Sequence, residues 1–249
     1  MSPLLCCAQT SLAVSLRDVA IKLRLHALFA ATPIRRPVSS NISHSNMSTH
    51  EVPILQHWNY FLALEDDVVR LSRYLELTAE NFDSYSLELA RILFSAASEV
   101  DVVAKRLCQK LNPNSKASNI CNYKMEILAV HPRIISSVVE IPRYGLTFTP
   151  WLQWGSDENP LWWHAYNKVK HQRHIHFSEA SLTHCLNAVA GLFVLLLYYY
   201  RHEGQNGQLT PDPTIFRIGT PFHVDRLMWG SHANVYHMLP EGGGSPETR

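Results

Sequence analysis

Apolar residues recur at helical spacing through most of the chain. In 57–77, Phe61, Leu64, Val68, Leu71 and Leu75 form one stripe while Asp66, Asp67, Arg70 and Arg73 fall toward the other side, which predicts an amphipathic helix. A break with capping residues follows at 81–84. A longer helix is predicted over 85–111, where Leu89, Ile92, Leu93, Ala96, Val100, Val103 and Leu107 share a face and the run Asn112-Pro113-Asn114-Ser115 ends it. Segment 119–130 predicts a shorter helix closed by His131-Pro132. Segment 134–148 is rich in isoleucine and valine yet carries Pro142 and Gly145, so it reads as a long connection with one short extended piece. The four tryptophans between 151 and 163 are expected to anchor the core.

The chain is organised around 160–200, a nitrogen-rich segment followed by its most apolar one. If 161–174 is helical, Asn167, Lys170, His171 and His174 stand at i, i+3, i+4 and i+7, on one stripe. An amide, an ammonium and two imidazoles along one face could hold an anion, and imidazole moves protons near neutral pH. Ser178 is expected to cap the next helix, with Glu179 in its first turn and Arg201 and His202 closing it before Gly204. The uninterrupted apolar run of 188–200 is roughly 13 residues, short of the roughly 18 that a membrane span needs. It therefore predicts a central core helix, and no membrane partner is expected. Glu99 and Asp101, in the second helix, belong either to a solvated face or to the Lys170/His171 stripe as its charge partner.

Composition narrows the function. A formal charge of +1 over 249 residues gives no overall electrostatic case for nucleic acid, so any anion site must be a local patch. Of the 14 histidines, nine lie before position 132 or after 200, and that scatter argues against reading each as functional. Five cysteines with no CxxC pair fit buried thiols in a reducing, cytoplasmic setting rather than a disulfide framework. No dinucleotide, Walker A, HExxH or GxSxG motif is present, and no cofactor is expected. His171, His174 and His176 are close enough in sequence to suggest zinc, but no cysteine or carboxylate lies beside them.

Three regions follow. Residues 1–46 form a basic extension in which Asp18 is the only acid, read as a presequence or as upstream sequence with Met47 as the true start. Residues 47–203 form the helical domain. Residues 204–249 read as a linker and a mostly irregular tail, with an extended piece at 214–218.

The pattern WW-x-x-YN-x-VKH-x-R…F-x-x-A-x-x-x-x-x-L-N-A-x-A-x-L-F-V, from Trp162 to Val194, resembles a group of uncharacterised bacterial proteins. Their helical hairpin is similar to HEPN domains, an all-α family of nucleotide-binding proteins and ribonuclease toxins. The resemblance implies an all-α bundle of four to five helices with an irregular connection and a short C-terminal extension. It also implies a homodimer whose motif helices meet in one composite site, and a role in defence or as a toxin with an antitoxin-like partner protein. The implied activity is metal-independent cleavage of RNA, with Lys170, His171, Arg173 and His176 as catalytic residues and Asn167 and His174 as binding residues. The alternative is a HEPN-like module that holds nucleotide or protein without turnover. Ribonuclease members carry Arg-x4-6-His. Here the positions that should hold histidine after Arg173 are Ser178, Glu179 and Ala180, and the nearest substitutes are Lys170-x5-His176 and the Arg173–His176 pair.

Overall fold

The computed structural model describes residues 54–226 and 233–239. The predicted extension 1–46 lies outside them. The first helix, α1 (Gln56–Leu71), buries Trp58, Phe61, Leu64, Glu65, Val68 and Leu71. It stops at Leu71 rather than 77 because the chain turns there, with Ser72 Oγ donating to the Val69 carbonyl at 2.8 Å. Leu77 still reaches the core, fully buried, from the turn. Helix α2 (Leu87–Leu111) starts where the Ser86 hydroxyl accepts the Leu89 N–H, and every apolar residue predicted for its stripe is buried. Helix α3 (Ile120–Val130) is capped in the same way by Asn119.

After a long irregular stretch come α4 (Leu161–His176), α5 (Leu182–Tyr199) and the short α6 (Arg201–Gln205). The N-cap of α5 is Ser181, not Ser178, whose segment closes a further turn first. Helices α2 and α5 run side by side in parallel. Leu182 N–H donates to the Ser84 carbonyl at one end, and Lys110 Nζ donates to the Tyr199 carbonyl at 2.8 Å at the other. Helix α1 runs antiparallel to α2, tied by His57–Glu99 near one end and Arg91–Asp67 (2.8 Å) near the other. Helix α5 is long and apolar enough by length and composition to cross a membrane, yet 14 of its 18 residues are buried within the bundle, Leu192, Val194 and Leu195 completely. It is the core helix.

The fold is mostly helical, broadly as the all-α expectation has it, and it includes some short strands as well. Among the described residues, five helices of 11 residues or more are joined by two small antiparallel sheets. Strands β1 (Val139–Ile141) and β2 (Leu146–Phe148) form a hairpin whose turn needs the left-handed backbone of Gly145 (φ 63°). β3 (Arg217–Ile218) adds to the other edge of β1, pairing Val139 with Ile218. β4 (Phe222–Arg226) and β5 (Asn234–Met238) make the second sheet. Strands of two to five residues are too short to show a convincing period of two, which is why the sequence reads as connection there.

The tail therefore needs correction. Residues 207–213 are not a free linker, and the described residues 214–226 and 233–239 carry three strands rather than a mostly irregular tail, the rest of which lies outside the described residues. Leu209 and Phe216 are fully buried, and Trp58 Nε1 donates to the Pro211 carbonyl at 3.1 Å. The carboxylate of Glu65, itself buried, accepts three successive backbone N–H groups, from Thr214 (2.8 Å), Ile215 (2.8 Å) and Phe216 (3.0 Å). A helix residue thus holds the C-terminal layer against the bundle. Cys108 and Cys185 are buried thiols outside any disulfide, and burial pushes the Cys108 thiol up to about 12.

Candidate functional site

Helix α4 is seated by its aromatic face. Trp162, Trp163, Ala165, Tyr166 and Val169 are buried, as helical spacing requires. The Trp162 indole donates to the Pro150 carbonyl at 2.9 Å and packs against α5 at Gly191. The tryptophans expected as core anchors all fill that role: Trp151, Trp154, Trp162 and Trp163 are buried, and Trp151 donates to the Gly191 carbonyl at 3.1 Å. A Cβ at Gly191 would stand 3.0 Å from the Trp162 ring. Gly191→Ala should therefore shift α4 against α5 and cost about 1–3 kcal/mol through overpacking, read as a lower urea midpoint. An unchanged midpoint would mean that the indole moves aside freely.

The opposite face carries the predicted residues. Lys170, His171, Arg173 and His174 are exposed, whereas Asn167 and His176 are half-buried. The predicted stripe is broken, however. Gln172 leaves the helical region (φ −140°, ψ 47°) and kinks α4, so Asn167, Lys170 and His171 share a face of the first segment while His174 does not continue it. Beyond the kink, Gln172 Oε1 and His176 Nε2 lie 3.2 Å apart. What results is a basic knuckle rather than a linear stripe.

Two aromatic rings support it. Lys170 Nζ lies 5.2 Å from the centre of the Tyr166 ring, and the Arg173 guanidinium carbon lies 5.0 Å from that of Phe177. Each cation and its ring are four residues apart, the spacing that brings helix side chains together. That four-residue spacing is legible in the sequence. Neither cation forms an ion pair among the described residues, and their heads remain available to an anion. The neighbouring Lys168 is committed to Glu179 at 2.5 Å, and it holds that carboxyl below the usual carboxylate range. Basic side chains at the end of α4 also offset the partial negative charge of a helix C-terminus, a structural role they keep whatever binds.

Of the two acids considered as charge partners, Glu99 pairs with His57 on α1 instead. Asp101 is the one within electrostatic reach of Lys170. Burial raises its carboxyl above the ordinary range, although the Tyr123 hydroxyl hydrogen-bonds it and Lys170 and Lys105 pull the other way. No carboxylate pairs with His171 or His174, so nothing in the described chain fixes an imidazole tautomer there. Among the described residues there is no group of three histidines, cysteines or acids placed to hold a metal ion, so His171, His174 and His176 do not converge as the zinc alternative requires. One chain thus offers anion-binding groups, without an oriented acid–base pair at the knuckle. No family model, curated protein or solved structure matches this chain.

Proposed function

We propose that the chain is a HEPN-like helical protein that binds RNA or nucleotide phosphate through the knuckle at the end of α4. The observation that carries this reading is the exposure of Lys170 and Arg173, each set on its own aromatic ring and neither ion-paired, with His171 and His174 between and beside them. Exposed guanidinium and ammonium groups bind phosphate oxygens, and the rings beneath them hold the cations in place. Asn167, half-buried one turn before Lys170, is the orienting polar group of the site.

Metal-independent RNA cleavage is a second reading, favoured by the two exposed imidazoles. In it a homodimer brings two knuckles together, and a His171 from one protomer faces the phosphate held by the other. His176, tied to Gln172, is then a scaffold for the kink rather than a catalytic group. A defence role with an antitoxin-like partner belongs to this reading.

The test uses the double substitution Lys170→Gln with His171→Gln. Both sites are exposed, so the melting temperature should move little, by about 0.5 kcal/mol of stability or less. RNA affinity should fall at least tenfold, as expected from losing a charge-assisted phosphate contact. Loss of stability without any RNA or nucleotide binding in the wild type would leave both residues as scaffold. Incubation with RNA in EDTA separates the two readings: cleavage that disappears in His171→Ala supports catalysis, and binding without cleavage supports the module.

A further inference from the structure

A second place on the molecule gathers unpaired charge around a concavity. A groove of about 450 Å³ lies between α1, the turn joining β1 to β2, and the strand-entry segment before β3. Asp66, Arg143, Arg217 and Thr214 give it polar walls, and Val69 and Ile215 give it an apolar floor. That volume falls in the range of small-molecule sites, about 300–1,000 Å³. No residue of α4 contributes to it.

The groove is built by interactions already described. Glu65 clamps residues 214–216 beside α1, which brings Thr214 and Ile215 next to Asp66 and Val69. The register of β3 on β1 pairs Arg217 with Glu140 and so sets it close to the 142–144 turn that carries Arg143. Arg217 Nη1 donates to the carbonyls of Pro213 (2.6 Å) and Phe216 (3.0 Å), which fixes the guanidinium while leaving its remaining donors unused among the described residues. Arg143 packs its guanidinium carbon 5.4 Å from the centre of the Tyr144 ring and makes no hydrogen bond or ion pair among the described residues. Asp66 makes none either, although its neighbours do: Asp67 pairs with Arg91, and Glu65 takes the three amides.

We propose that this groove binds a small phosphorylated sugar, a pentose phosphate either free or as part of a mononucleotide. Two guanidinium groups, one fixed and one stacked, suit the several oxygens of a phosphate, which they can take in bidentate fashion. An ionised carboxylate is acceptor-only, so Asp66 accepts hydrogen bonds from hydroxyl groups and does not bind the phosphate. The hydroxyls of a sugar supply them at short reach from the phosphate. Val69 and Ile215 pack against the sugar carbons, or against a base where there is one.

Calorimetric titration of the full chain tests this with ribose 5-phosphate, 5′-AMP and inorganic phosphate. Ribose 5-phosphate should bind saturably and more tightly than inorganic phosphate. Arg143→Gln should weaken it at least tenfold without moving the melting temperature, because the side chain is exposed and forms no ion pair; Arg143→Lys should recover part of the loss. Asp66→Asn should act in opposite directions, weakening ribose 5-phosphate through the lost hydroxyl contact and tightening inorganic phosphate through removal of a like charge. Tighter binding of 5′-AMP than of ribose 5-phosphate would identify the nucleotide as the source, and equal binding the free sugar phosphate. The double substitution at Lys170 and His171 should leave all of this intact, so the groove and the knuckle stand or fall separately. Absence of ribose 5-phosphate binding, or wild-type binding in Arg143→Gln, would overturn the proposal. So would an Asp66→Asn chain that binds both ligands more tightly, since that describes an unspecific anion patch.

Discussion

Replacing Glu65 with leucine is expected to destabilise the protein by roughly 3–5 kcal/mol and to release residues 214–216 from α1. The substitution keeps the apolar bulk but leaves the N–H groups of Thr214, Ile215 and Phe216 without their acceptor, in surroundings where Phe216 is fully buried. An unsatisfied buried donor costs about 1–3 kcal/mol, and partial access of water keeps three such losses from adding fully. Glu65→Gln, which retains one acceptor oxygen without the charge, should fall between. Urea unfolding gives the free energy, and amide hydrogen exchange at the three residues locates it. Wild-type stability with undiminished protection would mean that the C-terminal layer is held by its apolar contacts alone.

The second large effect lies where α1 meets α5. Phe193 is 1% exposed, and its ring stacks on Phe61 with centroids 4.9 Å apart and planes 7° from parallel, 6.0 Å from the Trp58 ring. Phe193→Ala removes the ring and opens a cavity that its two aromatic neighbours, Phe61 and Trp58, cannot close, so about 3–5 kcal/mol should be lost. The stack itself accounts for roughly 0.5–1.5 kcal/mol of that. A double-substitution cycle with Phe61→Ala reads the stacking part directly. A loss below about 1 kcal/mol in the single variant would show that the helices close over the gap.

These two residues illustrate what the sequence reveals. The ring of Phe193 sits in an apolar run that reads as a core helix from spacing alone, and the helix is there. Glu65 stands in the acidic run Glu65-Asp66-Asp67 and looks like part of a solvated face; its burial depends on partners roughly 150 positions away, which local pattern does not carry. The same limit hides the C-terminal layer. The strands are short, and what orders 207–218 is the Trp58 indole, the Glu65 carboxylate and the edge of β1.

The knuckle divides along similar lines. Exposure of Lys170 and His171 opposite a buried aromatic face follows from helical period. The kink at Gln172 does not, since neither proline nor glycine marks it. Through that kink His174 leaves the stripe that spacing assigned to it. The rings under Lys170 and Arg173 were readable at four-residue spacing, whereas the pairing of Glu99 with His57, in place of Lys170, needed the helices to be placed in space.

The central claim is that the α4 knuckle contacts phosphate. It is tested most directly by the salt dependence of binding to single-stranded RNA, wild type against the Lys170→Gln, Arg173→Gln chain. Each phosphate contact on a single strand contributes about −0.7 to the slope of log affinity against log salt, because contact releases a counterion. Removing two contacts should make the slope shallower by about 1.4 and weaken binding at low salt. A double variant with the slope and affinity of the wild type would contradict the claim.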